Sequence, residues 1–212
     1  MLTPKIVIFD CDGVLFDSKE ANLHYYNALL SHFGHPPMSD DELAFVHMHN
    51  VMDSIDHIFR HYPDDLGQAH ELRRQMDYTP FLRYMRMEPD LPDFLDFLAG
   101  RCHTAISTNR TTTMPAVLAM NGLTDRFEMV ITALDVRHPK PHPEALEKIL
   151  AHFGLRPEEG VFIGDSVIDE EHARRAGVPL IAFRNPQLAA DYHVKSFTEA
   201  MRLPCFQAHA GH

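Results

Sequence analysis

Cysteine is scarce in this sequence of 212 residues, and the three cysteines that occur are far apart. Cys11, Cys102 and Cys205 form neither a C-x-x-C pair nor an even set that could be joined into a disulfide framework. This usage is typical of a protein that functions in a reducing compartment. We therefore expect the protein to be cytoplasmic.

Positively charged residues are fewer than negatively charged ones. The chain has 19 Lys and Arg residues against 30 Asp and Glu residues, which gives a formal net charge of -11. Such a balance opposes any large contact with nucleic acid or with anionic lipid, so we expect neither a nucleic acid nor a membrane as a partner. An anionic substrate would need a local positive site. The sequence leaves the oligomeric state open.

Long apolar runs are missing. The first run, Ile6 to Phe9, is too short for the core of a signal peptide and ends at Asp10, and no later run is long enough to cross a bilayer. What the sequence does contain is 45% hydrophobic residues, enough to bury an α/β core with or without a second small domain.

Short β-prone runs alternate with helical patterns along much of the chain. We predict strands at 6–9, 103–107, 128–132, 161–163 and, as the last strand, 180–183. Helices are predicted at 113–121, 143–153 and 166–176, each followed by a glycine. This alternation predicts an α/β fold with a Rossmann-like parallel sheet and helices on both faces.

Residues 18–87 have a different character, with few β-branched residues and apolar residues at helical spacing. Within them, Ser39-Asp40-Asp41-Glu42 predicts a capping box at the start of a helix. We therefore predict a discontinuous core domain, residues 1–17 and 88–212, and a helical cap domain, residues 18–87, inserted after the first strand.

Polar motifs follow four of the predicted strands. In chain order they are Asp10-Cys11-Asp12-Gly13, Thr108-Asn109-Arg110, Lys140-Pro141 and Gly164-Asp165-Ser166 with Asp169. Because the carboxyl ends of parallel strands meet at one edge of the sheet, we expect these residues to lie close together.

These ordered motifs resemble those of the haloacid dehalogenase superfamily, and in particular its capped phosphatases of the phosphoglycolate phosphatase and beta-phosphoglucomutase type. IVIFDCDGVLFDS (6–18) resembles the nucleophile loop of that family, and VFIGDSVIDEEHARRAG (161–177) resembles its metal loop. The resemblance covers essentially the whole chain. It implies a Mg²⁺-dependent phosphatase that hydrolyses a small phosphorylated metabolite through an aspartyl-phosphate intermediate.

The resemblance also implies roles for the acidic residues. Asp10 is expected to be the nucleophile and Asp12 the general acid and base, because the attacking carboxylate must be ionised while the group that protonates the leaving oxygen must carry a proton. The metal is expected to be held by Asp10, by Asp165 and by the backbone carbonyl of Asp12, with Asp169 supporting them from behind. An all-oxygen set suits magnesium better than zinc.

Phosphate binding is expected from Thr108, Asn109 and Lys140, again by resemblance, with Arg110 as a further contact. An ammonium near Asp10 would offset the repulsion between a carboxylate nucleophile and a phosphate dianion. Ser107 competes with Thr108 for the hydroxyl role.

Other readings remain open. A phosphosugar mutase is the nearest alternative, although mutase-like relatives carry a histidine where this chain has Asn22. A non-catalytic phosphoester-binding protein is the alternative from another class. His47 and His49 lack a cysteine or acidic partner at a zinc-like spacing, so we interpret them as residues that select substrate.

Overall fold

The computed structural model describes residues 3–49 and 51–207. The chain divides into two compact units, one with the described residues up to Asp17 and from Met87 onward, the other spanning Ser18–Arg86. The predicted insert ended at residue 87, one residue later than the second unit. Two short strands, β2 (Phe16–Asp17) and β3 (Arg86–Met87), lie where the chain passes from one unit to the other.

The first unit contains a parallel sheet. Its strands are β1 (Ile6–Phe9), β4 (His103–Ser107), β5 (Met129–Ile131), β6 (Gly160–Gly164), β7 (Leu180–Phe183) and β8 (Tyr192–Val194). Within the described residues these six strands are ordered β5-β4-β1-β6-β7-β8, and every neighbouring pair is parallel. The predicted α/β class with a Rossmann-like parallel sheet is confirmed.

One strand of the six-stranded sheet was missed, as were the two short strands β2 and β3. We predicted 180–183 as the last strand, and this was wrong because β8 pairs with β7 at the edge of the sheet. The three residues of β8 are too few to show an alternating pattern, so their pairing could not be recognised from the sequence.

Helices connect most of these strands, and two short helices follow β8. They are α5 (Leu91–Leu98), α6 (Met114–Met120), α7 (Glu144–Phe153), a 3-10 turn (Pro157–Glu159), α8 (Val167–Ala176), α9 (Phe197–Ala200) and α10 (Pro204–Gln207). Helix α7 buries Leu146 and Ile149 in a cluster that also contains Ile6 and Phe162 from the sheet. A central strand covered by packed helices explains why β1 is a continuous apolar run, with every side chain fully buried.

Strand β1 is the turning point of the topology. The chain first adds β4 and β5 on one side of β1 and then returns to add β6, β7 and β8 on the other. Ligands of open α/β sheets bind at the carboxyl ends of the strands where the winding reverses. A ligand-binding site is therefore expected in the loops after β1, β4 and β6.

The second unit is helical. It contains α1 (Lys19–His32), α2 (Asp40–Met48), α3 (Val51–Ile58), α4 (Pro63–Gln75) and a 3-10 helix (Thr79–Tyr84), which pack around Tyr26, Leu29 and Phe59. The predicted capping box of α2 is present, since the Ser39 hydroxyl accepts from the Glu42 N–H. No helix in the described ranges has the length and apolar content to cross a membrane.

Candidate active site

The loop after β1 carries two carboxylates in a tight turn. The N–H of Asp10 donates to the Ile163 carbonyl at 2.9 Å, which continues the pairing of β1 with β6. Gly13 has a φ of +79°, and a Cβ at this position would collide with the Asp165 carboxylate. A glycine is therefore required both by the backbone conformation and by the close approach of the two loops.

Lys140 connects two of the carboxylates. Its Nζ lies 2.7 Å from Asp10 Oδ1 and 2.7 Å from Asp169 Oδ1, and all three side chains are buried. Asp10 and Lys140 lie in two separate loops and Asp169 lies in the first turn of α8, so the expected convergence at the carboxyl edge of the sheet is observed. The ion pairs fix the ammonium directly beside the Asp10 carboxylate.

Asp169 organises the loop after β6. Its second carboxylate oxygen accepts a hydrogen bond from the Ser166 hydroxyl at 2.7 Å and weaker ones from the N–H groups of Asp165 and Ser166, both at 3.2 Å. A Cβ at Gly164 would collide with the Asp169 side chain, so glycine allows this close packing. On the far side of the loop, Asn185 donates to the Asp165 carbonyl at 2.8 Å.

Burial and neighbouring charges shift the pKa values of the three clustered carboxylates. Burial raises the pKa of Asp10 to about 7, although Lys140 opposes the shift. Burial raises the pKa of Asp165 to about 8, and the charges of Asp10 and Asp169 add to it. Burial of Asp169 would also raise its pKa, but Lys140 and hydrogen bonds to the charged form lower it overall.

The cluster has the chemistry of a magnesium site. Asp10, Asp165 and Asp169 offer carboxylate oxygens that lie within 4.8 Å of one another. Within the described part of the chain, no side-chain nitrogen of Lys, Arg or His lies within 4.0 Å of the Asp165 carboxylate. The Lys140 ammonium forms ion pairs with Asp10 and Asp169 instead. The three carboxylates carry more negative charge than the single ammonium offsets, and all of their ligand atoms are oxygens. Such a set of ligands fits a hard dication.

Thr108 and Asn109 follow β4 directly. The Thr108 hydroxyl is buried and accepts from the N–H of Arg110 at 3.1 Å. The Asn109 amide exchanges two hydrogen bonds with the backbone of Lys140, at 3.0 and 3.1 Å. The Asn109 side chain therefore holds the lysine loop, and its expected contact with phosphate stays a prediction.

Arg110 has a role that sequence reasoning did not find. It was expected to contact phosphate, yet its Nε and Nη2 donate to the two carboxylate oxygens of Asp12, each at 2.7 Å. Its Nη1 also donates to the Thr113 hydroxyl at 3.1 Å. This planar, two-point contact fixes the orientation of the Asp12 carboxylate.

Two further residues were missed. His172 is fully buried, with its ring nitrogens 3.0 Å from the Ser107 hydroxyl and 2.8 Å from the His142 carbonyl. The Ser107 hydroxyl is therefore engaged by a buried imidazole, whereas the Thr108 hydroxyl accepts from a backbone N–H, and the expected role of Thr108 in phosphate binding stays a prediction. Asn185 had a signal that was overlooked, namely its position two residues beyond the end of β7, where functional side chains collect.

The second unit carries the remaining residues for which the sequence predicted a functional role. His49 is exposed, its ring stacks on Phe45 at a centroid distance of 3.7 Å, and its Nδ1 donates to the Phe45 carbonyl. His47 lies in α2, but its side chain is outside the described part of the structure. Asn22, at the position of the mutase histidine, accepts a hydrogen bond from the Tyr78 hydroxyl at 2.8 Å.

Comparison with known proteins gives consistent matches. A sequence profile for haloacid dehalogenase-like hydrolases matches residues 7–183. Phosphoglycolate phosphatase from Rhodobacter capsulatus is 29% identical over 213 residues, covering 93% of this chain and 94% of that protein. Pyrophosphatase PpaX from Oceanobacillus iheyensis is 26% identical over 192 residues, covering 84% of this chain and 82% of its own length.

Among solved structures, a HAD-superfamily hydrolase of subfamily IA, variant 1, from Geobacter sulfurreducens superimposes with a TM-score of 0.82 and 38% identity. The match covers 94% of this chain and 96% of that one. The similarity therefore extends over both compact units.

Proposed function

The chain belongs to the haloacid dehalogenase-like hydrolase family, and we propose that it is a magnesium-dependent phosphatase that forms an aspartyl-phosphate on Asp10. The observation that carries this proposal is the position of Lys140, 2.7 Å from the Asp10 carboxylate at the carboxyl edge of the sheet. A buried ammonium beside a carboxylate is suited to draw a phosphate dianion toward an anionic nucleophile.

The metal would be held by Asp10, Asp165 and the backbone carbonyl of Asp12. Both oxygens of Asp169 are already engaged, one by Lys140 and the other by the Ser166 loop, so Asp169 supports the ligands from behind. When bound, Mg²⁺ would neutralise charge on the phosphate and on the clustered carboxylates.

In the first half-reaction, a carboxylate oxygen of Asp10 forms a bond to phosphorus as the bond from phosphorus to the leaving oxygen breaks. Asp12 transfers a proton to that oxygen, which leaves as the alcohol. Lys140 stabilises the ionised Asp10 before attack and the phosphoryl oxygens afterwards.

In the second half-reaction, Asp12 takes a proton from a water molecule whose oxygen attacks phosphorus. The bond between phosphorus and the Asp10 oxygen breaks, which releases inorganic phosphate and restores the Asp10 carboxylate and the protonated form of Asp12. Arg110 keeps Asp12 oriented for both proton transfers.

Phosphate recognition is assigned to the Thr108 hydroxyl and the Lys140 ammonium. Asn109 contributes by holding the backbone of Lys140 through two hydrogen bonds. The substrate is a small phosphorylated metabolite, in keeping with the phosphoglycolate phosphatase that the chain resembles over most of its length.

The helical unit is assigned the role of a mobile cap that excludes bulk water and selects substrate. His47 and His49 are its proposed selecting residues. A phosphosugar mutase remains the second candidate for the family, but Asn22 lacks the acid-base chemistry of a histidine and is held by Tyr78.

The test compares Asp10→Asn with Asp12→Asn by intact-protein mass spectrometry after rapid quenching with an activated aryl phosphate and Mg²⁺. Asp10→Asn should form no phosphoenzyme, because an amide cannot act as the nucleophile. Asp12→Asn should accumulate phosphoenzyme, because the base for the second step is lost. Phosphorylation of Asp10→Asn at the active site, with normal turnover by Asp12→Asn, would show that the two roles are wrongly assigned.

A further inference from the structure

A second group of potential metal ligands lies on the loop that carries Lys140 and at the first residue of α7, apart from the carboxylate cluster. His138, His142 and Glu144 each offer one ligand atom, and these atoms lie within 4.8 Å of one another. Nδ1 of His138 is 3.4 Å from Glu144 Oε2, and the two imidazole centroids are 4.6 Å apart. We propose that these three side chains bind a transition-metal dication of the Zn²⁺ class.

The donor set decides the class of ion. Two imidazole nitrogens and one carboxylate oxygen suit Zn²⁺ and its neighbours, whereas the all-carboxylate cluster suits Mg²⁺. Ligand atoms about 2.1 Å from a zinc ion lie at most about 4.2 Å apart, so small rotations of the two imidazoles complete the site. Three protein ligands leave at least one coordination position for water.

The backbone holds the ligands in place before any metal binds. The Glu144 carboxylate accepts hydrogen bonds from the N–H groups of Arg137 at 3.1 Å and of His138 at 3.0 Å. The His142 N–H donates to the Pro139 carbonyl at 3.0 Å, and the His142 carbonyl accepts from His172 at 2.8 Å. Because the loop is already ordered, metal binding costs little conformational entropy.

A neighbouring cation limits the affinity. Nζ of Lys148 lies 3.0 Å from Glu144 Oε1 and 2.6 Å from the Asp135 carbonyl, whereas His138 faces Oε2 of Glu144. The metal therefore approaches the Oε2 side of the carboxylate, where it competes with the N–H groups of Arg137 and His138 that also donate to Oε2. Removing the ammonium with Lys148→Met should strengthen metal binding, because one repulsive charge is lost.

The experiment is a calorimetric titration of the chelator-treated full chain with Zn²⁺. In a parallel titration with Co²⁺, the absorption spectrum of the bound Co²⁺ reports whether imidazoles are among its ligands. The parent protein for these titrations carries Asp165→Asn, which weakens the carboxylate cluster as a competing site. The site should take up one Zn²⁺, and His138→Ala or His142→Ala should weaken that binding at least about tenfold. His152→Ala, which removes an exposed histidine of α7, is the matched control and should change nothing.

Both histidine variants leave the backbone hydrogen bonds to the Glu144 carboxylate intact. His142→Ala also removes the ring nitrogen that accepts from the Glu144 N–H at 3.3 Å, so His138→Ala is the variant that tests the site without a loss in the loop. Zn²⁺ binding of parental affinity and stoichiometry in both variants would overturn the proposal, as would the lack of binding by the parent protein. Unchanged affinity in Lys148→Met would overturn the assignment of Glu144. The outcome is independent of phosphatase activity, because Zn²⁺ binding is measured without substrate.

Discussion

The guanidinium of Arg110 donates two hydrogen bonds of 2.7 Å to the carboxylate of Asp12, a residue 98 positions earlier in the chain. The Thr113 hydroxyl accepts a third hydrogen bond from the same guanidinium. Two parallel bonds define the plane of a carboxylate, which one bond to an ammonium cannot do. Asp12, the proposed general acid and base, is therefore oriented by Arg110, which follows the neighbouring strand β4.

Replacing Arg110 should impair proton transfer more than nucleophilic attack. We expect Arg110→Met to lower kcat about 10²-fold for alkyl phosphates, because general acid-base catalysis depends on a positioned carboxylate. Aryl phosphates with good leaving groups should lose less in the phosphorylation step. Arg110→Lys should restore only part of the activity, since the charge returns without the two-point contact.

The measurement is kcat and single-turnover phosphorylation across a series of leaving groups. Arg126→Met, which removes a partly buried arginine paired with Asp96 away from the carboxylate cluster, is the control. An equal loss for every leaving group would indicate that Arg110 only stabilises the fold.

Removal of divalent metal should abolish turnover. The carboxylates of Asp10 and Asp165 would otherwise repel the phosphate that approaches them. We expect activity to disappear after chelation and to return on addition of Mg²⁺. Mg²⁺ should also raise the thermal unfolding midpoint of the wild type but not of Asp165→Asn, because a ligand stabilises only the state that binds it. Full activity after exhaustive chelation would contradict the proposed site.

His172 should make the core unit sensitive to acid. Burial, aided by the charge of Lys140, lowers the pKa of His172 to about 4, whereas an unfolded histidine titrates near 6.5. The native state thus binds fewer protons, so the stability due to neutral His172 is complete above about pH 6.5 and is lost as the pH falls toward 4. A shift of this size corresponds to at most about 3 kcal/mol.

Urea unfolding of the wild type and His172→Gln between pH 4 and 7 tests this prediction, with His152→Gln as the control. The pH dependence of stability should be shallower in His172→Gln than in the other two proteins. Identical profiles for all three would show that His172 does not titrate differently in the native state.

The double variant His47→Ala, His49→Ala should change substrate preference. If these residues select substrate, relative kcat/KM among natural phosphorylated metabolites should change by about 10-fold, while a small aryl phosphate is affected less. His61→Ala, another exposed histidine of the helical unit, serves as the control. Equal losses for all substrates would point to a role of the pair in folding.

The sequence by itself determined five of the six strands of the core sheet and the order of the polar motifs. Ile6–Phe9 could be predicted as a strand because four consecutive apolar, mainly β-branched residues are typical of a strand buried on both faces of a parallel sheet. The Ser39 capping box could be predicted because its hydrogen bonds span three residues. The convergence of Asp10, Lys140 and Asp169 followed from their positions beyond strands of one sheet.

Only the tertiary structure decided which polar groups pair across these loops. Arg110, which we expected to contact phosphate, forms hydrogen bonds with Asp12, and the Asn109 amide forms hydrogen bonds with the backbone of Lys140. His172 is buried against Ser107, 65 positions away. Such pairings depend on side-chain directions and on the distances between loop ends. Spacing along one chain does not contain this information, because a strand end specifies where a residue lies but not which partner its side chain reaches.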